Sequence, residues 1–358
     1  MTMTTPIKLL LLEGDGIGPE IVTATRRVLE AVDTKYNLNL QFTTTPIGFA
    51  ALEAYGTTLP DVVDEFTQAA DATILGPISH NDYPPAAQGG LNPSGELRKR
   101  LNLYANIRPA RSLPGIPPRC GKPLDLVIVR ENTEGFYADR SMYMGPGEFM
   151  PTPDLALSVR KVTRQASMRI AESAFEMAMQ RRKQVTAVHK GNVLRVSDGL
   201  FLECVREVAS RYPDVVYEEK LVDAMAALLV RDASVFDVIV TTNMFGDILS
   251  DLAAEIAGSL GLAASINTSD TYAIAQAQHG SAPDIAGQDI ANPSSLIGSA
   301  AMLLRWLAER RDEPTLSMAA GLIDETLTQL LSSPETRTAD LGGVLGTVAF
   351  TDALIASL

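Results

Sequence analysis

The sequence predicts an α/β protein built on a mostly parallel sheet. Short β-branched or leucine-rich runs alternate with longer helical patterns along 358 residues, as repeating βαβ units require. The composition, 46% hydrophobic and 20% charged with 26 Gly and 21 Pro, is that of a folded globular chain, neither disordered nor fibrous. The length suits two domains of ordinary size or one large α/β unit.

Residues 7–12 are almost wholly aliphatic and read as the first strand. A helix follows over 19–32, where Pro19 suits a first turn whose N–H groups have no helical partner. A helical pattern at 61–70 leads into a strand at 71–75, and further apolar runs of strand length lie at 124–129, 185–188 and 235–241. Leu155, Leu157 and Val159 alternate as a strand does. Thr163 is placed as the N-cap of a helix whose buried face carries Ala166, Ile170, Ala174 and Ala178. The Pro- and Gly-rich segments 114–118 and 145–153 are expected to be exposed connectors, and domain boundaries are placed near residues 103 and 257.

The net charge of −13 repels phosphate backbones and anionic lipid heads, so neither nucleic acid nor membrane is expected as a partner; a local basic pocket for a small anion remains open. Cys120 and Cys204 are too few for a disulfide framework, which points to a reducing, cytoplasmic compartment, and each is expected to be a buried apolar filler. Residues 1–6 are polar and uncharged, so no signal peptide is expected there. The small and apolar tract 252–266 carries Glu255 and is interrupted by glycine, too short to span a bilayer.

The first strand runs into Glu13-Gly14-Asp15-Gly16-Ile17-Gly18-Pro19-Glu20. A dinucleotide fingerprint requires G-x-G-x-x-G, and Pro19 stands where its last glycine belongs, so this is not a Rossmann loop. A plain glycine turn opening a helix and a ligand loop both remain open. Arginines follow in Leu97-Arg98-Lys99-Arg100, Asn106-Ile107-Arg108-Pro109 and Val129-Arg130-Glu131-Asn132. Planar guanidinium forks hold carboxylates bidentately, so three of them converging would suit a di- or tricarboxylate, whereas each alone suits a structural or solvated role. Arg130 ends an apolar strand, the place where α/β sheets hold ligands.

Asp223, Asp247 and Asp251 supply carboxylates, the last two four apart in Phe245-Gly246-Asp247-Ile248-Leu249-Ser250-Asp251-Leu252 and therefore on one helical face. Hard oxygen ligands suit Mg²⁺ or Mn²⁺, and a cation would relieve their repulsion; the alternative for Asp247 is a first-turn aspartate favoured by the helix dipole. Tyr137 and Lys190 can serve as acid or base once burial or nearby cations lower their pKa values, or be an ordinary half-buried tyrosine and a surface lysine. His80, His189 and His279, without G-x-S-x-G or a spaced Cys/His set, argue against a triad or a zinc centre. Small residues and turn formers in His279-Gly280-Ser281-Ala282-Pro283-Asp284-Ile285-Ala286-Gly287, followed by Asn292-Pro293, would let backbone approach a ligand closely.

Together these segments resemble the β-decarboxylating dehydrogenases, the isocitrate/isopropylmalate family with its homoisocitrate and tartrate/D-malate branches. The likeness covers nearly the whole chain in family order and includes Tyr104-Ala105-Asn106-Ile107-Arg108-Pro109, Arg130-Glu131-Asn132-Thr133-Glu134-Gly135 and Lys190-Gly191-Asn192-Val193-Leu194. It implies an isopropylmalate dehydrogenase-like fold of two α/β domains on a shared mixed β-sheet, residues 1–103 plus 258–358 against 104–257. It also implies a homodimer with active sites at the subunit interface. Arg98, Arg108 and Arg130, with Asn92 and Ser94, would hold the substrate; Asp247 and Asp251, with Asp223 from the partner, would hold Mg²⁺ or Mn²⁺. NAD would lie on Ile17, Gln276, His279, Gly280, Ser281, Ala282, Asp284 and Asn292. In such enzymes a lysine, here Lys190 from the partner, assists deprotonation of the C2 hydroxyl and hydride passes to the nicotinamide. The metal polarises the new ketone, the β-carboxylate leaves as CO₂, and a tyrosine, here Tyr137, protonates the enol.

Asp284 stands where NAD-using relatives carry an acid, suited to a ribose 2′-hydroxyl and repelling a 2′-phosphate, so NAD is expected over NADP. Gln276-Ala277-Gln278-His279 departs from the usual Glu-Pro-Val-His or Glu-Ala-Thr-His, placing an amide where relatives carry an acid near the nicotinamide. Asn92 and Ser94 stand six and four residues before Arg98, where isopropylmalate enzymes place leucines and isocitrate enzymes Ser then Asn. Polar groups there would lose hydrogen bonds against an isopropyl group and favour a polar C3 substituent. Val222-Asp223-Ala224-Met225-Ala226 instead resembles the isopropylmalate branch, which is the alternative reading; a non-catalytic regulatory subunit would lack the arginines, lysine, tyrosine or metal carboxylates that are all present here.

Overall fold

The computed structural model describes residues 5–137, 142, 144–145 and 147–358. Strand β1 (Ile7–Leu12) is buried on both faces apart from Lys8, which is why its leucines run on without alternation. Helix α1 (Gly18–Tyr36) begins with Pro19 in its first turn, buries Ile21, Val22, Val28, Leu29 and Val32, and stops at Asn37 in the left-handed region. There follow β2 (Leu40–Thr45), α2 (Phe49–Tyr55), α3 (Val62–Ala69) and β3 (Ala72–Leu75). Helix α4 (Pro93–Arg100) starts at Asn92, whose side-chain oxygen accepts from the Gly95 amide at 3.0 Å.

The middle of the chain supplies β4 (Ala105–Arg111), β5 (Asp125–Glu131), β6 (Glu148–Thr152), β7 (Leu155–Ser158), α5 (Arg164–Met179), β8 (Gln184–His189), α6 (Ser197–Ala209), β9 (Val216–Leu221), α7 (Val222–Asp232), β10 (Val238–Thr241) and α8 (Asn243–Ala257). The chain then returns through β11 (Ile266–Thr268), β12 (Ala273–Gln276), α9 (Ser294–Arg311), α10 (Pro314–Leu331) and α11 (Thr347–Ser357).

Ten strands form one sheet in the order β2-β1-β3-β12-β11-β4-β5-β10-β8-β9. Both wings are parallel, but at the centre β11 runs antiparallel to β12 and β4, and β4 antiparallel to β5. The sheet is therefore mixed, which the alternation of elements alone did not show. Strands from residues 7–75 and 266–276 fill one wing, and those from 105–241 fill the other. Alternation divides the core: Leu9 and Leu11 join a cluster that unites α1, α5, α6, α9, α10 and α11, whereas Leu10 and Leu12 join a separate cluster with Val63 and Leu97. A third cluster gathers α7 and α8 against β5 and β10.

Thr163 caps α5 as expected, its Oγ1 accepting from the Ala166 amide at 3.2 Å above the buried Ala166, Ile170, Ala174 and Ala178. Segment 145–153 is not a simple connector: β6 pairs antiparallel with β7, while Pro146 and residues 1–4 lie outside the described residues. Leu155 and Leu157 alternate but both face solvent. Ile116, within the turn at 114–118, is buried, and of the cysteines only Cys204 is fully buried. Among the described residues no helix is long and apolar enough to cross a membrane.

Candidate active site

Side chains from α4, β4, β5, α8 and the segment after β12 surround one cavity of about 250 Å³. Arg98, Arg108 and Arg130 all line it, with Asn92, Ser94, Tyr137, Asp247, Gln276, His279 and Gly280. Each arginine is held by amides. Arg98 donates to Oδ1 of Asn132 at 3.1 Å and to Oε1 of Gln276 at 3.3 Å. Nε of Arg108 donates to Oδ1 of Asn106 at 2.5 Å, and its Nη1 to Oγ of Ser250 at 2.8 Å. Arg130, only 2% exposed, donates from Nε and Nη2 to Oδ1 of Asn243 at 3.0 and 2.6 Å, and from Nη1 to Asp247. Gly246 makes room for it, since a Cβ there would stand 2.6 Å from Arg130 Cγ. Fixing the forks in this way leaves less side-chain freedom to lose when a carboxylate arrives.

The electrostatics follow from burial. Desolvation and the adjacent Arg130 push the Arg108 pKa down to about 10. Burial opposes ionisation of Asp247, but Arg130 and Arg108 outweigh it and hold the carboxyl below its ordinary range. The Tyr137 hydroxyl donates to Oδ2 of Asp247 at 3.2 Å, with the Arg130 guanidinium 5.9 Å from its ring centre.

Asp247 and Asp251 each lie 3.3 Å from Nη1 of Arg108, so the two carboxylates share one cationic neighbour and stand close enough together to offer hard oxygen donors to a divalent cation. Helix α8 begins at Asn243 with no acid in its first turn, which removes the dipole explanation for Asp247. Asp223 is not beside them. It pairs with Nζ of Lys190 at 2.7 Å, neither residue lines the cavity, and the lysine holds the aspartate below its usual pKa. The Lys190 amide donates to the fully buried Asp198 at 2.5 Å, and Asp198 also pairs with Arg160. Among the described residues of one chain, no three carboxylate, imidazole or thiol groups converge on a metal position. Asp247 and Asp251 are two of the three carboxylates expected to hold the cation, and the third, Asp223, lies outside the cavity of its own chain.

The glycine turn after β1 packs against the loop after β12. The Ile17 amide donates to the Ser281 carbonyl at 2.8 Å, and a Cβ on Gly16, at φ +58°, would stand 2.0 Å from that oxygen. Ser281 shares a 2.7 Å hydrogen bond with Ser79, Ala282 has φ +38°, and Asp284 is exposed in the short turn Pro283–Ile285. Nδ2 of Asn292 donates to Asp340 at 3.0 Å. At the cavity wall Nε2 of His279 and Oε1 of Gln278 are buried with no hydrogen-bond partner, two polar atoms that fit a polar ligand such as a nicotinamide nucleotide.

Sequence reasoning missed Asn106, Asn132, Asn243 and the role of Gln278. Signals for two of them existed: Asn106 shares a strand face with Arg108, and Asn243 stands one helical turn before Asp247.

The family described as isocitrate/isopropylmalate dehydrogenase matches residues 8–355. The chain belongs to this family. An isocitrate/homoisocitrate dehydrogenase of Thermus thermophilus is 43% identical over 354 residues, 98% of either chain. A catalytic subunit of the mitochondrial NAD isocitrate dehydrogenase of Arabidopsis thaliana is 39% identical across 98% of this chain and 88% of its own. The crystal structure of isocitrate dehydrogenase from Methylococcus capsulatus superposes with a TM-score of 0.87 at 40% identity, covering 98% of this chain and 99% of that one. The protein is thus an oxidoreductase of the isocitrate/isopropylmalate dehydrogenase family, a decarboxylating dehydrogenase.

Proposed function

We propose that the protein catalyses NAD-linked, divalent-metal-dependent oxidative decarboxylation of an (R)-malate-backbone 2-hydroxy acid with a polar C3 group, of the isocitrate, homoisocitrate, D-malate or tartrate kind. The observation that carries this reading is the three-arginine cavity, whose lining also includes the polar Asn92, Ser94 and Gln276. Ser94 donates to Oε1 of Gln276 at 3.1 Å, so hydrogen-bonding groups stand beside Arg98 where isopropylmalate enzymes place leucines, with Ile78 and Ala277 as apolar neighbours in the same cavity. Exposed Asp284 and the relative named as an NAD enzyme support NAD. A cytoplasmic location agrees with two free cysteines.

A homodimer with shared sites is supported by the Lys190–Asp223 pair, which stands outside the cavity of its own chain. Exposed Ile248 on α8, Val230 on α7 and Leu157 on β7 offer apolar surface near those elements for a second copy. The wings of the sheet support the division into residues 1–103 plus 258–358 and 104–257.

In this reading Arg98, Arg108 and Arg130 hold the carboxylates of the acid, and Asn92 and Ser94 meet its C3 group. Lys190 of a second copy takes the proton of the C2 hydroxyl. A divalent cation on Asp247, Asp251 and the second copy's Asp223, when bound, supplies Lewis acidity at the C2 oxygen, and NAD⁺ supplies the hydride acceptor. After CO₂ departs, Tyr137 returns a proton to the enol carbon, its hydroxyl already held beside Asp247. The test is NADH formation with Mn²⁺ across isocitrate, homoisocitrate, D-malate, tartrate and isopropylmalate, with NADP⁺ as control. A polar acid is expected to lead; isopropylmalate leading would overturn the C3 argument.

A further inference from the structure

A second cavity, about 270 Å³, is lined by Arg98, Lys99, Lys161 and Arg169, with Asn132 and Glu134. Four cations thus face one carboxylate. Both oxygens of Glu134 are already committed, Oε2 to the Thr163 amide at 2.8 Å and Oε1 to the Thr163 hydroxyl at 2.7 Å, with Lys161 Nζ 3.7 Å away. Lys99 is exposed, and neither it nor Arg169 has a carboxylate partner among the described residues. The Arg169 guanidinium is stacked 4.4 Å from the Tyr104 ring centre, and its buried Nε has no hydrogen-bond partner. In a chain of net charge −13, Lys99 and Arg169 are thus two cations on one cleft wall that an incoming anion would neutralise.

We propose that this cleft is a second anion site, taking a small polyanion with two or more oxyanion groups, a polycarboxylate or a phosphate. Its volume matches that of the three-arginine cavity, about 250 Å³, so an anion the size of a hydroxy-acid substrate fits. Arg98 lines both cavities and bonds Asn132 and Gln276. An anion in the cleft therefore draws on the same guanidinium that the substrate uses and raises the substrate KM with kcat unchanged. That kinetic coupling rests on the proposed substrate role of Arg98; occupancy of the cleft does not.

The experiment is calorimetric titration of the full chain with inorganic phosphate and, separately, tricarballylate, for wild type, Lys99→Gln and Arg169→Gln. Each substitution is expected to weaken binding about tenfold by removing a charge-assisted contact. The tighter of the two probes tells a phosphate site from a polycarboxylate site. Lys99 is exposed, so its variant keeps the fold even where Arg169→Gln does not. Equal affinity in wild type and Lys99→Gln would place the anion in the three-arginine cavity and overturn the proposal, as would absence of binding. The KM rise caused by the probe should need about tenfold more probe in Lys99→Gln; a rise at the wild-type probe concentration is competition for the substrate cavity and overturns the coupling. Should no hydroxy acid turn over, the calorimetry still reads the cleft, which separates its failure from that of the proposed reaction.

Discussion

Nε2 of Gln278 donates to Oδ1 of Asp251 across 2.7 Å, so a side chain bonds the segment after β12 to the acidic face of α8. Outer partners of this kind orient a metal-binding carboxylate, and losing one typically weakens metal affinity about 10- to 100-fold. Gln278→Val is expected to weaken Mn²⁺ binding about tenfold, read from the free-Mn²⁺ electron paramagnetic resonance signal. Unchanged affinity would mean that Asp251 needs no such partner.

Asp247→Asn keeps an oxygen that can accept from Arg130, so the fold should survive. The charge that a cation needs is gone. Metal-dependent turnover should disappear while circular dichroism and the melting midpoint stay close to wild type; residual Mn²⁺-dependent activity would remove Asp247 from the metal set.

Gly16→Ala places a Cβ against the Ser281 carbonyl at a positive φ. Strain of about 1–3 kcal/mol is expected, visible as a lower urea midpoint, together with weaker NAD⁺ binding because the two loops part. A variant as stable as wild type would show that this contact gives way without cost.

Asp284→Lys reverses the charge on an exposed turn without touching the core. The ratio of kcat/KM for NAD⁺ over that for NADP⁺ should fall by about tenfold or more, since a lysine attracts the 2′-phosphate that the aspartate repels. A constant ratio would place cofactor choice elsewhere.

His189 and His279 are both held below the ordinary value of 6.5, chiefly by burial. The folded chain keeps them neutral, whereas the unfolded chain binds their protons at 6.5. The stability they confer is complete above that pH and is lost as pH falls through it toward the folded values. The melting midpoint should drop on mild acidification, and His189→Gln with His279→Gln should flatten that drop.

Much of this site was legible in the sequence because its charged residues come in short motifs with local geometry: Asp247 and Asp251 share a helix face by spacing alone. The packing partners were harder to read. Asn132 reaches Asn267 at 3.0 Å and Arg98 from another element, a relation set by sheet order and not by any local pattern. The hairpin of β6 and β7 was obscured by Pro and Gly residues that an exposed, two-stranded ribbon tolerates. The antiparallel centre of the sheet was hidden for the same reason as Asn132, since strand direction depends on connections far apart in the chain.

Strand β12 lies between β3 and β11, although more than half of the chain separates it from β3. During synthesis, β3 therefore keeps an open edge, made of residues that the finished fold buries, until residue 276 has left the ribosome. An unpaired edge of this kind is a template for pairing with other chains. The nascent protein must be shielded over that interval, and truncations ending before β12 should aggregate in proportion to their concentration, however well their helices form.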